Sequence, residues 1–467
     1  MTAPHPTGTP DLFSLSEIQG PVLRPTDNGY AAELAGFNLA VRHSPEVVVG
    51  ATGTGDIVAA MRWAAATRTP VAVQATGHGA NSPVDSGLLI NTARLTDVHV
   101  DETTRTATIA PGAKWRNVLE AAAPHGLAAL TGTSTDAGAV GYTVGGGLPV
   151  LGRAYGYAAD LVRSLQVVTA DGILRTASPE EEPELFWALR GGKGNVGVVT
   201  QMVTELLPLS HILGGGIYCP GEHAEPLLRA WVDWTTTVPD EMCSAYTVLR
   251  LPPLPDIPEP LRGGFWARVA IAWPGAPEEG ERLIAPLRAA APVTVDTVSV
   301  IPYTEIDAVH MEPAMPLPAR ESCALLHAMT DDAITTFLQA CGPAAPPDYP
   351  LLMVELRHMG GALARPSAFE DAICARDSDF FLETVGVLIS PEAAEAVESA
   401  TAAIQSAMAP YGTGHTMVNI HGTPGDEADR ARAWTPEVYD RLRRAKTTYD
   451  PHDLLRFGHA INILTRG

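Results

Sequence analysis

The sequence predicts an α+β fold in two parts, a glycine-rich segment near 40–209 and an inserted sheet-and-helix segment near 210–414. Three observations carry this expectation. The chain's 467 residues exceed what one ordinary hydrophobic core uses. Glycines crowd two loops, each beside a strand-like run. After Pro208 the texture changes, and proline clusters such as LPPLPDIPEP separate longer strands from helices. Residues 415–467 form a tail that texture alone assigns to neither part.

The elements follow in order. Residues 1–45 read as an irregular lead-in with one short helix. DIVAAMRWAAATR (56–68) has helical apolar spacing, with Asp56 as the expected N-cap. VAVQAT (71–76) is a buried strand running into the loop GHGANSPVDSG, and GLLINT (87–92) is the next strand. VHVDETTRTATIA (98–110) reads as a hairpin, and the helix AKWRNVLEAAAPHG (113–126) ends at Gly126. LVRSLQVVTADGILRTAS is a hairpin turning on Asp171-Gly172, followed by the helix PELFWALRGG and the strand GVVTQMVTELLP. Beyond Pro208, SAYTVLRL, GFWARVAIAW, LLMVELRHM and FFLETVGVLI read as strands. EPLLRAWVDWTTTV, PEEGERLIAPLRAAA, PEAAEAVESATAAIQSAMAPYG and PEVYDRLRRAKTTYDP read as helices.

Apolar residues make up 46% and charged residues 18%, a globular composition rather than a disordered one. The net charge of −22 repels phosphate backbones and anionic lipid, so neither nucleic acid nor membrane is an expected partner. Five scattered cysteines without a CxxC pair suit reduced thiols better than disulfides, and no metal site is expected. The N-terminus lacks a basic and apolar leader, and no run of about 18 apolar residues occurs. A cytoplasmic protein is the expectation.

A GxGxxG stands at Gly192, Gly194 and Gly197, but it follows a helix and opens a strand, the reverse of a dinucleotide fold. GxxxxGK[ST], HExxH and GxSxG are absent. Gly77, Gly79, Gly132, Gly138, Gly141, Gly145, Gly146 and Gly147 nevertheless need a cause. Two glycine loops could clasp a pyrophosphate with backbone N–H groups, or could simply make tight turns.

Read together, VAVQATGHGANSPVDSGLLINTARL, GGGLPVLGRAYGYAADLVRSLQVVTADG, FWALRGGKGNVGVVTQMVTEL and YDPHDLLRFGHAI closely resemble the berberine-bridge-like branch of the vanillyl-alcohol-oxidase superfamily. The third segment parallels that family's FWALRGGGGNFGVVT. The resemblance covers about 40–209 and 415–467 in order. It implies a PCMH-type FAD-binding domain over 1–209, completed by 415–467, with a substrate domain over 210–414 whose antiparallel sheet is covered by helices. It implies FAD attached covalently through His78. It also implies cofactor contacts from Ala75, Thr76, Gly77, Gly79, Ser134, Gly138, Gly141, Tyr142, Gly197, Val199, Asn419 and His459. Bicovalent relatives carry a cysteine eleven residues before the triple glycine; that position here is Ser134, so a single bond without a cysteinyl link is implied. Gln74 replaces an arginine common at the loop's start, which leaves pyrophosphate neutralisation to backbone amides.

Flavin-dependent oxidation needs a base to take a substrate proton while hydride leaves. The family's tyrosine base is replaced here by Met417, two residues before Asn419. Period-two alternation instead puts Phe381, Glu383 and Val385 on one face of a strand expected to cover the flavin. Glu383 is therefore a candidate catalytic base, or else a carboxylate paired with Arg357 or Arg376. Tyr142 is a second catalytic candidate, or packs on the ring without chemistry. His358, His415 and His459 are weaker polar candidates, and only one of Arg357 and His358 can face the ring. The implied activity is an oxidase acting on a mid-sized, natural-product-like small molecule with O2 as acceptor. A dehydrogenase, a flavin-scaffolded cyclase and a degenerate flavin binder stay open.

Overall fold

The computed structural model describes residues 15–255, 257–346 and 348–464. The expected absence of a leader falls on 1–14, outside the described residues.

Four strands, β1 (Val22–Leu23), β2 (Val47–Gly50), β3 (Val71–Gln74) and β4 (Leu88–Asn91), form a sheet in the order β1-β2-β4-β3. β2, β4 and β3 run parallel, which suits the continuous apolar runs VVVG and LLIN. The helix Thr54–Thr67 crosses from β2 to β3 and packs Ile57, Ala60, Met61 and Ala64 on Val47, Val49, Leu88 and Ile90. Asp56 is not its N-cap; Gly53 is. The Asp56 carboxylate lies inside the first turn and accepts from Gln19 N, Gly20 N, Thr52 N and Thr52 Oγ1. It ties the lead-in to the helix, because three backbone donors outside the helix reach it.

A second sheet holds β5 (Val98–Asp101), β6 (Thr106–Ile109), β7 (Val162–Val168), β8 (Leu174–Ala177) and β9 (Val198–Glu205), ordered β5-β6-β9-β7-β8. The expected hairpins over 98–110 and 162–177 are both present, and Gly172 in the second turn takes φ +71°. The helix Trp115–Ala122 continues as a 3₁₀ turn to Gly126, which caps it at φ +66°.

The third sheet has eight strands: β10 (His211–Pro220), β11 (Cys243–Arg250), β12 (Phe265–Trp273), β13 (Val295–Asp296), β14 (Ser299–Pro302), β15 (Ala319–Leu326), β16 (Leu351–His358) and β17 (Phe380–Val387). Its order is β13-β10-β12-β11-β16-β17-β15, with β14 beside β10, and every pairing is antiparallel. One face buries Ile217, Tyr246, Val269, Ile271, Leu356 and Leu382 under the helices Ala224–Thr235, Asp331–Cys341 and Pro391–Met408. The other face turns toward the first part of the chain, where Ala245, Ala270 and Ala272 share a core with Leu130, Val150 and Leu151. β10, β15 and the helix Asp331–Cys341 were not anticipated, because glycines interrupt LGGG and charges interrupt ARES.

Candidate functional site

β3 delivers the chain into the loop that carries His78. Gly77 takes φ +72°, and a Cβ there would stand 2.7 Å from Gly36 Cα, so two backbones meet where only glycine fits. The His78 ring stacks on Phe37 at 3.8 Å, and its Nδ1 is 3.0 Å from Thr76 Oγ1. Thr76 Oγ1 also accepts from Gly138 N at 3.3 Å, joining the two glycine loops. His78 Nε2 is buried without a hydrogen-bond partner. Burial lowers the imidazole pKa to about 4, so the ring is neutral at pH 7.

The triple glycine lies against Asn419. A Cβ on Gly145 would fall 2.0 Å from Asn419 Oδ1, and Asn419 Nδ2 donates to Tyr142 O at 2.8 Å. Lys193 Nζ donates to the same Asn419 Oδ1 at 2.6 Å. Tyr142 meets Trp115 edge-on at 5.8 Å, and its hydroxyl is buried without a partner. Burial holds the phenol pKa well above its ordinary value, so Tyr142 is a proton donor or positioning group rather than a ready base.

The inner sheet face brings charged side chains into one layer. Glu355 is wholly buried; it receives Arg357 Nη2 at 2.7 Å and Arg268 Nη2 at 3.3 Å, and His310 Nδ1 lies 3.4 Å away. Glu383 stands beside Glu355 across β16–β17, is also buried, and lies 3.9 Å from Arg357 Nη2. Its carboxylate makes no hydrogen bond among the described residues, and the neighbouring Arg357 guanidinium bonds Glu355 instead. Burial, then the nearby Glu321, pushes the Glu383 pKa well above the usual carboxylate range. Glu321 and Glu312 keep exposed side chains, but partial desolvation by the surrounding protein raises both, Glu321 to about 7. Phe381 shares the Glu383 face, as alternation predicts, and packs with Leu148, Tyr157 and Met417. Arg376 is not a partner of Glu383; it pairs with Asp160 and Asp371 at 2.6 Å each.

His78, Gly79, Asn81, Glu321, Asn419 and Ile420 line one open cleft. The glycine loop and the carboxyl-bearing sheet therefore face one another. Of the two alternatives on β16, Arg357 joins the charged layer, whereas His358 stacks on Phe380 at 5.9 Å. His415 Nδ1 contacts Arg432 O at 3.2 Å.

The remaining predicted contacts divide. Gly141 has open space around it, and the Ser134 carbonyl accepts from Ala137 N within the loop before the triple glycine. A Cβ on Gly197 would come 2.4 Å from Val167 Cγ2, and Val199 lies in the large core, so both have packing roles. His459 sits between His421 and Trp434 with Nε2 on Arg430 O at 2.8 Å; its Nδ1 alone lacks a partner. Gln74 does not await a phosphate, since its amide donates to Leu34 O and Ala35 O at 3.3 Å.

Sequence reasoning missed Phe37, Lys193, Arg268, His310, Glu321 and Glu355. Only Lys193 left a local signal, a lysine where the resembled motif has glycine. The others become functional candidates through strand pairing, which no single segment encodes.

Residues 45–178 match the FAD binding domain family. The (R)-6-hydroxynicotine oxidase of Paenarthrobacter nicotinovorans is 27% identical over 96% of this chain and 98% of the relative. The uncharacterized FAD-linked oxidoreductase YgaK of Bacillus subtilis is 25% identical over 97% of this chain and 98% of that protein. The crystal structure of 6-hydroxy-D-nicotine oxidase from Arthrobacter nicotinovorans superimposes with a TM-score of 0.81 at 24% identity, covering 98% of this chain and 100% of the other. The carbohydrate oxidase of Microdochium nivale gives 0.82 at 19% identity, covering 97% and 99%.

Fold and matches define a mixed helix-and-sheet protein with a PCMH-type FAD-binding fold. The chain is an FAD-dependent oxidoreductase with full-length homologues among FAD-linked oxidoreductases.

Proposed function

We propose that this protein is an oxidase of the berberine-bridge-like, monocovalent type, with FAD bonded to His78, a small organic substrate and O2 as electron acceptor. The observation that carries the proposal is an unpartnered, neutral His78 nitrogen in a cleft whose opposite wall holds Glu321, diagonal to the buried Glu383 on the neighbouring strand. The residues present fit FAD. Gly141 has open space where a Cβ would stand, a Cβ on Gly79 would meet only Lys193 Nζ, and His78 Nε2 is a buried nitrogen without a hydrogen-bond partner. When bound, FAD supplies a two-electron acceptor. Thr76 and Phe37 hold the imidazole in place, and Asn419 orders the triple-glycine loop. Once ionised, Glu383 takes a proton from a substrate O–H or N–H, and Arg357 stabilises the carboxylate this requires. The apolar floor of Leu148, Phe381 and Met417 excludes water beside it. The hydroxynicotine and carbohydrate oxidases among the similar proteins support oxidation of a small molecule, although they differ in substrate. We further propose that 415–467 completes an FAD domain over 1–209, that 210–414 binds substrate, and that the protein works in the cytoplasm on secondary metabolites. Anaerobic photoreduction followed by air is the test. Rapid reoxidation with formation of H2O2 supports an oxidase, and flavin that stays reduced until an artificial acceptor is added identifies a dehydrogenase.

A further inference from the structure

Lys193 is one of only three lysines in the chain. Lys114 pairs with Asp136 at 3.0 Å, and Lys446 with Asp450 and Asp453 at 3.2 and 3.1 Å. Lys193 alone has no carboxylate partner among the described residues, and its ammonium rests on a neutral amide oxygen of Asn419. Its backbone takes φ +61°, the left-handed region that favours glycine over other residues. The resembled motif has glycine there, which would carry no such cost. A half-buried cation without a counter-charge, on a backbone that disfavours its side chain, is a ready partner for an anion. The ammonium points to one: it stands 3.8 Å from where a Gly79 Cβ would be, beside His78, and touches the residue that packs on the triple glycine. Arg320, on the far side of the cleft, is already paired with Glu398 at 3.3 Å. Burial lowers the Lys193 pKa to about 8, which still leaves the ammonium largely charged at neutral pH.

We infer that Lys193 supplies the positive charge that binds the anionic part of FAD, taking the place of the arginine missing at Gln74. This rests on the reading of the cleft as the FAD site. The anionic group is either the pyrophosphate or the N1–C2 oxygen edge of the reduced ring, and both are met by the same ammonium.

The test uses His78→Ala as background, so that FAD binding is reversible, and compares Lys193→Met, Lys193→Gly and Lys193→Arg within it. Loss of a charge-assisted contact weakens FAD binding by roughly 10- to 100-fold in the Met and Gly forms, with Arg retaining most of it. Lys193→Gly also relieves the backbone, so it folds at least as well as its parent and keeps the result readable. Equal weakening of ADP binding assigns the pyrophosphate. Unchanged ADP binding, with at least tenfold weaker sulfite addition to the flavin of the otherwise wild-type Lys193→Met protein, assigns the ring. Unchanged FAD, ADP and sulfite affinities in the Met and Gly forms overturn the inference. A wild-type protein that binds no FAD would instead overturn the reading of the site itself.

Discussion

Burial keeps the His78 imidazole neutral down to about pH 4, and Thr76 fixes one nitrogen while the other is left without a protein partner. A neutral, oriented imidazole is the form able to bond to carbon. Purified protein is therefore expected to stay yellow after acid precipitation, and His78→Ala to release all its FAD while folding normally by circular dichroism. A single attachment is also expected, because Cys219 lies wholly buried in the helix-side core of the third sheet, away from the cleft. Peptide mapping should find flavin mass only on the His78 peptide. Glu383 poses the opposite problem: burial raises its pKa well above the usual carboxylate range, so the base form grows as pH rises. Glu383→Gln should slow flavin reduction by roughly 10²–10⁴-fold and erase the acid limb of the rate profile. Stopped-flow reduction under anaerobic conditions measures both.

At the scale of the strand, Glu383 on β17 and Glu321 on β15 form one acidic patch, diagonal across a pair in which Cys323 faces Glu383. Both carboxyls have folded pKa values raised above their unfolded ones, so the folded state binds more protons. Their contribution is fully present below the ordinary carboxylate range, about 4.3 for glutamate, and is lost as pH rises through the folded values, about 7 for Glu321. The histidines whose pKa values burial lowers pull stability the other way over the same range, so the expected outcome is relative. Glu383→Gln should make the change in flavin-free stability from pH 5 to pH 8 more positive than in wild type, read in thermal melts at the two pH values. The alternation FFLETV was enough to place Phe381 and Glu383 on one face, because period two needs only the strand itself. The Arg268–Glu355–Arg357 layer was not legible, since Arg268 on β12 lies up to 89 residues from the β16 pair and β11 must pair with both strands first. Asp56 shows the same limit. Its residue type suited a cap, but the donors it serves, Gln19 and Gly20, are remote in sequence.

For the molecule as a whole, the tail was readable as a motif but not as packing. YDPHDLL places Leu454 and Leu455 in the core between the first sheet and the helix Thr54–Thr67, and Leu454 O accepts from Val71 N at the start of β3. The strand that carries His78 into position is thus anchored by the last turn of chain before residue 460. Lys446, with no exposed side-chain surface, holds that turn by donating to Leu455 O at 2.6 Å and facing Asp450. Asp450 in turn accepts from the N–H groups of Leu454 and Leu455 at 2.8 Å each. Lys446→Met removes the cation and leaves the fully buried Asp450 charge without its ion-pair partner, which typically costs about 3–5 kcal/mol. Adding Asp450→Asn removes the stranded charge while keeping a side-chain acceptor, so the double variant should recover a large part of that loss. The coupling should also appear at the other end of the anchor. If the turn positions β3, Lys446→Met protein expressed at a permissive temperature will carry a smaller covalently bound flavin fraction than wild type, and the double variant an intermediate one. Equal flavin fractions in all three, beside the expected loss of stability, would confine the tail to a stabilising role and detach it from the cofactor site.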